Sequence, residues 1–169
     1  MNARTLHVLR HAKSSWDDPG LADVDRPLAP RGRKAAKRLA RVLDEHGVRP
    51  QLVLCSPALR ATQTLERVLP GLGSPDVVFD ERLYHAWADE LLTRLREIPD
   101  DVSEALVIGH NPGLAELCLL LARPGGDRDR VAGNLPTGAF VTLAADASSW
   151  AGLEPGGTEI VRLLLPREL

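Results

Sequence analysis

Excess charge of either sign, cysteine, aromatic side chains and long apolar runs are all scarce in this 169-residue chain. Lysine plus arginine number 21 and aspartate plus glutamate 23, leaving a formal net charge of −2 with the histidines neutral. That near-balance argues against a nucleic-acid binder, whose affinity rests on net positive charge. The 44% hydrophobic content is enough to fill a core, which excludes a disordered tract. No apolar run approaches the roughly 20 residues of a membrane span, so no membrane partner is expected. The first strand-like segment begins within a few residues of Met1 and leaves no room for a signal peptide. Cys55 and Cys118 stand far apart, which makes a disulfide framework unexpected. The chain therefore reads as soluble and cytoplasmic, with residues 1–169 forming one domain. Lysine is confined to Lys13, Lys34 and Lys37, and the arginine excess reads first as codon bias rather than as a row of anion ligands.

What is present is alternation. Short apolar runs are interleaved with longer stretches of helical periodicity, the pattern of β-α units around a mostly parallel sheet. Strands are predicted over Thr5–Leu9, Leu52–Cys55, Val77–Phe79, Ala105–Ile108, Ala139–Leu143 and Ile160–Leu165. A helix is predicted over Arg31–His46, with Ala35, Leu39, Val42 and Leu43 on one face and Gly47 as its stop. Ser56 reads as an N-cap and Pro57 as the first position of a second helix running to about Leu69. Two more helices are predicted over Asp89–Glu97 and Pro112–Ala122. The polar, glycine-bearing segment Arg123–Pro136 is expected to be a mobile surface loop. The expected fold is α/β, a three-layer sandwich with a mostly parallel central sheet flanked by helices.

Three of the buried strands end in polar or cationic groups. Arg10-His11 follow the first, Ser56-Pro57-Ala58-Leu59-Arg60 the second, and Gly109-His110-Asn111-Pro112 a third. In open parallel sheets the carboxyl ends of the strands form the ligand crevice. Neighbouring strands lie about 4.8 Å apart, so these side chains would share one small pocket. Two arginines and two histidines converging beside helix N-termini describe an anion site sized for a phosphoryl group. Taken singly, each piece reads as a solvated loop end, a helix cap or a turn. Their joint placement is what carries weight.

These motifs resemble those of the histidine phosphatase superfamily. Arg10-His11 resembles its Arg-His-Gly signature, with Ala12 in place of the common glycine, as in one branch. The stretch Ser56–Thr64 resembles the second arginine motif and Gly109–Pro112 the second histidine motif. Arg26-Pro27-Leu28 followed by Gly32, together with the short chain, is most similar to the SixA-type phosphohistidine phosphatases. The match runs in order from Leu6 to about Leu121 and more loosely to Leu165.

The resemblance implies a phosphoglycerate mutase-like fold and a hydrolase in which His11 attacks phosphorus in line, giving a phosphohistidine that water then hydrolyses. A neutral imidazole is a competent nucleophile near neutral pH, and nearby Arg10 and Arg60 oppose its protonation. The same arginines would bind the equatorial oxygens, with His110 as a third oxygen ligand donating as the cation. Arg26 is a further candidate for substrate binding, or a partner of Asp23 or Asp25. No cofactor is implied. No metal is expected either, because His7, His11, His46, His85 and His110 show no metal-ligand spacing and the arginines would repel a cation. His7 and His46 read as structural or solvated.

A general acid is not evident. Asn111 occupies one position where related sequences carry an acid and cannot donate a catalytic proton, and near the other Glu81, His85 and Asp89 are the candidates. His85 stands where related sequences often have glutamate, and reads as a solvated loop residue. An alkoxide leaves poorly without a proton, whereas the imidazole of a phosphohistidine leaves readily. The gap therefore favours P–N over P–O cleavage. The expected substrate is a phosphohistidine-bearing signalling protein or a related phosphoramidate. The alternatives are a phosphatase of small phosphomonoesters and a non-catalytic phosphate- or phosphoprotein-binding module. Trp16 is expected to cover the first helix rather than line the pocket mouth, and Lys13 to add charge there. The basic run Arg31, Arg33, Lys34, Lys37, Arg38 and Arg41 reads as a solvated helix face, with docking to an acidic protein or RNA as the minority reading.

Overall fold

A computed structural model describes residues 3–169; Met1 and Asn2, where the signal-peptide reading and the 1–169 domain begin, lie outside the described residues. The strands are β1 (Ala3–Arg10), β2 (Leu52–Cys55), β3 (Asp76–Phe79), β4 (Glu104–Gly109), β5 (Phe140–Asp146) and β6 (Thr158–Leu164). They form a six-stranded sheet in the order β3-β2-β4-β1-β5-β6. The pairs β3-β2, β2-β4 and β4-β1 are parallel, while β5 and β6 add antiparallel strands at one side. The helices are α1 (Pro30–Glu45), α2 (Leu59–Val68), α3 (Ala88–Arg96), α4 (Gly113–Leu121) and α5 (Arg128–Gly133).

Strands covered on both faces read as continuous apolar runs, and this is why β2 and β4 were legible. Their side chains alternate between two core layers. Leu54 and Val107 pack on one face with Leu91, Leu95, Leu114 and Leu117 of α3 and α4. Val53, Cys55, Leu106 and Ile108 pack on the other with Leu39, Leu43, Leu65 and Val68 of α1 and α2. The three layers follow from that division. The two cysteines are free and buried. No helix among the described residues is long and apolar enough to cross a membrane.

Two expectations are corrected. The segment 123–136 is not a mobile loop, because it contains α5 packed on α4. Val131 and Leu135 drop into the core, and Arg128 Nη2 donates to the Leu119 carbonyl at 3.1 Å. The second helix begins at Leu59 rather than Pro57, with Ala58 as its N-cap residue. Ser56 Oγ does accept the Ala58 amide at 3.2 Å, but the same oxygen also lies 2.7 Å from His110 Nε2, just after β4.

One close approach shapes the loop at the carboxyl end of β1. A Cβ on Gly32 would stand 2.1 Å from the Lys13 carbonyl oxygen, so the first turn of α1 can lie against the loop after β1 only with glycine there. The Ala29 amide completes the contact by donating to the same carbonyl at 2.9 Å.

Candidate active site

β1 and β4 are in register from Thr5↔Glu104 to Arg10↔Gly109, which ends both strands at the same level. The chain then turns outward at His11 and His110, whose ring centroids lie 5.2 Å apart at 54°. Arg60, in the first turn of α2, reaches the same place, with Nε 3.4 Å from His11 Nε2. A cavity of about 480 Å³ is lined by Arg10, His11, Arg26, Arg60 and His110. The structure thus brings all five sequence-predicted site residues to one pocket.

His11 is 6% exposed, and its ring orientation is fixed. Nδ1 lies 2.8 Å from the Ala12 carbonyl, which can only accept, so Nδ1 carries the proton and Nε2 keeps the lone pair. Burial lowers the imidazole pKa to about 4, with Arg60, Arg10 and Arg26 adding to the fall and the Ala12 hydrogen bond opposing it. Desolvation, not the arginines, is the larger cause. Thr64 anchors the frame between the two motifs: its hydroxyl accepts the Ala12 amide at 3.0 Å and donates to the Arg60 carbonyl at 2.7 Å.

His110 departs from expectation. Burial lowers its pKa to about 3, helped by His11 and Arg60, so in this pocket the ring is neutral rather than cationic. Ser56 is wholly buried, and its Oγ lies 2.7 Å from His110 Nε2. Donation by that hydroxyl would place the proton of the neutral His110 ring on Nδ1. His110 Nδ1 and Arg10 Nε are both buried without a hydrogen-bond partner in the protein. Arg10 is held instead through Nη1, which donates to the Leu135 carbonyl at 3.0 Å. The same carbonyl accepts Asn111 Nδ2 at 2.8 Å. Asn111 is therefore structural, tying β4 to the segment after α5, and its Oδ1 accepts the Ala115 amide of α4 at 3.2 Å.

Sequence reasoning assigned Asp23 no more than a pairing with Arg26, and its reach is wider. Its Oδ2 accepts from Arg60 Nη2 at 3.0 Å and from the Tyr84 hydroxyl at 2.5 Å, and its backbone carbonyl accepts Arg60 Nη1 at 2.7 Å. Its Oδ1 accepts Arg26 Nε at 3.2 Å, which selects Asp23 over Asp25 as the Arg26 partner. The Tyr84 and Arg60 hydrogen bonds hold the Asp23 carboxyl well below the usual carboxylate range, against the opposing effect of burial. Arg26 is 7% exposed and also donates to Ser14 Oγ at 2.8 Å. Ser56, Thr64, Tyr84 and Thr137 were missed as well. Their signals are single hydroxyls in generic sequence surroundings.

Of the three acid candidates, His85 lines the pocket and Glu81 and Asp89 do not. His85 sits at φ +60, with its ring centroid 3.9 Å from that of Tyr84. Trp16 is corrected: it is 70% exposed and lines the pocket mouth, with the Arg26 guanidinium 3.6 Å from its ring centroid, and it does not cover a helix. Trp87, 59% exposed, lines the same pocket. His7 is structural, bridging Thr142 Oγ1 at 2.9 Å and Glu104 Oε1 at 2.7 Å. No three His, Cys, Asp or Glu side chains among the described residues gather as metal ligands.

The family model "Histidine phosphatase superfamily (branch 1)" matches residues 6–106. An uncharacterized protein of Mycobacterium tuberculosis is 37% identical over 163 residues, covering 94% of this chain and all of the relative. A solved structure from Nakamurella multipartitia, provisionally described as the phosphohistidine phosphatase SixA, is 31% identical with a TM-score of 0.87, covering 98% of each chain. The protein histidine phosphatase SixA solved with tungstate is 26% identical with a TM-score of 0.80, covering 97% of this chain and 98% of the other. Sheet order, strand-end motifs and these matches agree, and the chain belongs to branch 1 of the histidine phosphatase superfamily, as a hydrolase with the phosphoglycerate mutase-like fold.

Proposed function

We propose that the protein is a metal-independent phosphatase that removes phosphoryl groups from histidine side chains of a protein, through a phosphohistidine on His11. In the first step a bond forms between His11 Nε2 and phosphorus as the P–N bond to the substrate imidazole breaks, and the departing ring, protonated from solvent, leaves as neutral imidazole. In the second, a water oxygen attacks phosphorus and gives up a proton to solvent, the His11–phosphorus bond breaks to return the neutral ring, and inorganic phosphate leaves. Arg10 Nε, His110 Nδ1 and the guanidinium of Arg60 supply hydrogen bonds where charge gathers on the oxygens. That cationic frame does the charge neutralisation for which many phosphoryl-transfer sites use a divalent ion, and it repels one.

The observation that carries the substrate class is Asp23. It is the sole carboxyl group lining the pocket among the described residues, and its hydrogen bonds keep it ionised. An ionised carboxylate cannot protonate a leaving alkoxide, whereas a departing imidazole needs little help. The SixA descriptions of the solved neighbours support the same reading. The two buried thiols suit a reducing, cytoplasmic setting.

The test compares kcat/KM on a phosphohistidine peptide and on an unactivated alkyl phosphate, both in excess EDTA. The phosphohistidine peptide is expected to be preferred. Preference for the alkyl ester would overturn the reading in favour of a small-molecule phosphatase.

The pH dependence follows from His11. Burial favours its neutral form, so the nucleophile stays unprotonated well below pH 6.5 and is lost as pH falls through about 4. With an aryl phosphate, and after allowance for ionisation of the substrate, kcat/KM of the free enzyme should hold level from pH 7 to pH 5. An acid limb centred near 6.5, the ordinary imidazole value, would contradict it. Through His11, stability falls as pH drops from about 6.5 to about 4, because the unfolded chain takes up the proton first.

A further inference from the structure

A second cavity, of about 300 Å³, adjoins the active site and shares Lys13 and Thr137 with it. Its charged lining is Lys13, Arg31, Arg38 and Arg167, with no carboxylate among the lining residues. All four are exposed, and none has an ion-pair or side-chain hydrogen-bond partner among the described residues. The arginines that serve the fold behave differently: Arg49, Arg82, Arg94 and Arg130 each meet a carboxylate. On α1 the exposed cations Arg31, Lys34, Arg38 and Arg41 fall at i, i+3, i+7 and i+10, one face of a helix. At 1.5 Å per residue that row is about 15 Å long.

We propose that this cavity and the α1 row dock an acidic surface of the phosphorylated protein substrate, which aligns its phosphohistidine with His11. The assignment rests on the protein-phosphohistidine reading above. Two features select an acidic protein over a small anion. The row extends well past the reach of a single phosphate or carboxylate, and the chain's net charge of −2 makes so one-sided a cluster a local device rather than a general property. A cationic face next to the reactive centre raises the encounter rate of an acidic partner and fixes its orientation. RNA would suit the charge as well, but no aromatic side chain lines this cavity to stack on a base.

The experiment uses phosphohistidine and phosphoserine peptides, each in a glutamate-rich and an uncharged sequence, with the full-length enzyme and its R31E/R38E and R31Q/R38Q variants. Turnover of a small aryl phosphate reports that the active site is intact, and both variants should retain it. Wild-type enzyme is expected to favour the glutamate-rich member of each pair by about tenfold or more in kcat/KM at low salt. The gap should close as salt is raised to about 0.5 M. R31E/R38E should abolish or invert it, with R31Q/R38Q between. No acid preference in the wild type, or one that survives R31E/R38E, overturns the docking surface. The comparison of phosphohistidine with phosphoserine within one sequence background reads the chemistry separately. Acid preference with phosphoserine favoured would support docking while overturning the phosphohistidine assignment. An RNA oligonucleotide that competes more strongly than a phosphate-free glutamate-rich peptide would overturn the protein partner.

Discussion

Replacing His11 with alanine is expected to lower kcat by about 10⁴-fold or more, the scale seen when the nucleophile of a covalent mechanism is removed. The expectation is large because no other group lining the pocket has the same disposition. His11 Nε2 holds its lone pair because Nδ1 is committed to the Ala12 carbonyl, and burial keeps that lone pair free at neutral pH. His110 has Nε2 engaged with Ser56 and Nδ1 buried, so neither nitrogen is free to take over. Rapid quench of the wild-type enzyme, in excess EDTA, should trap an acid-labile, base-stable phosphate on the protein, and the alanine variant should trap none. Retained turnover in His11→Ala, with circular dichroism showing a native fold, would falsify the covalent mechanism.

Arg60→Ala should lower kcat/KM by about 10²–10³-fold, equivalent to roughly 3–4 kcal/mol of transition-state stabilisation. Arg60 is 6% exposed, so its charge acts with little screening from water. It faces His11 Nε2 through Nε while Nη1 and Nη2 hold Asp23. Lysine should restore little, because a point charge cannot keep the two Asp23 contacts and reach the phosphoryl oxygens at once. Measurement of kcat/KM on an aryl phosphate checks both variants. A loss below about fivefold in Arg60→Ala would mean that Arg10 and His110 suffice. Removing Arg60 also takes away a cause of the low His11 pKa, so any acid limb in the rate profile should move upward.

The fold was legible where one physical effect dominated. β2 and β4 are buried on both faces and announce themselves as unbroken apolar runs, and α1 carries a clear amphipathic period. The convergence of Arg10, His11, Arg60 and His110 followed from the rule that ligands sit at the carboxyl ends of parallel strands. α5 was hidden because Gly125, Gly126 and a run of charges mask its buried apolar anchor Val131 and the buried Leu135 just after it, and six residues are too few for periodicity to show. Asp23 was half seen. Its pairing with Arg26 is a local matter, but its grip on Arg60, 37 positions away, and on Tyr84, 61 positions away, depends on how loops meet. Burial is likewise absent from a motif, which is why His110 read as a cation and Trp16 as a helix cover.

The placement of β1 between β4 and β5, with hydrogen-bonded neighbours on both sides, has a dynamical corollary for the reaction. A ring seated at the end of such a strand, with Nδ1 bonded to the Ala12 carbonyl, is held in place. On the mechanism proposed above, the travel then falls to phosphorus, which would cross from departing group to imidazole and back toward water while the protein atoms stand nearly still. On that mechanism a bulky donor could withdraw past the exposed Trp16 and Trp87, which both line the pocket, without any part of the enzyme stepping aside.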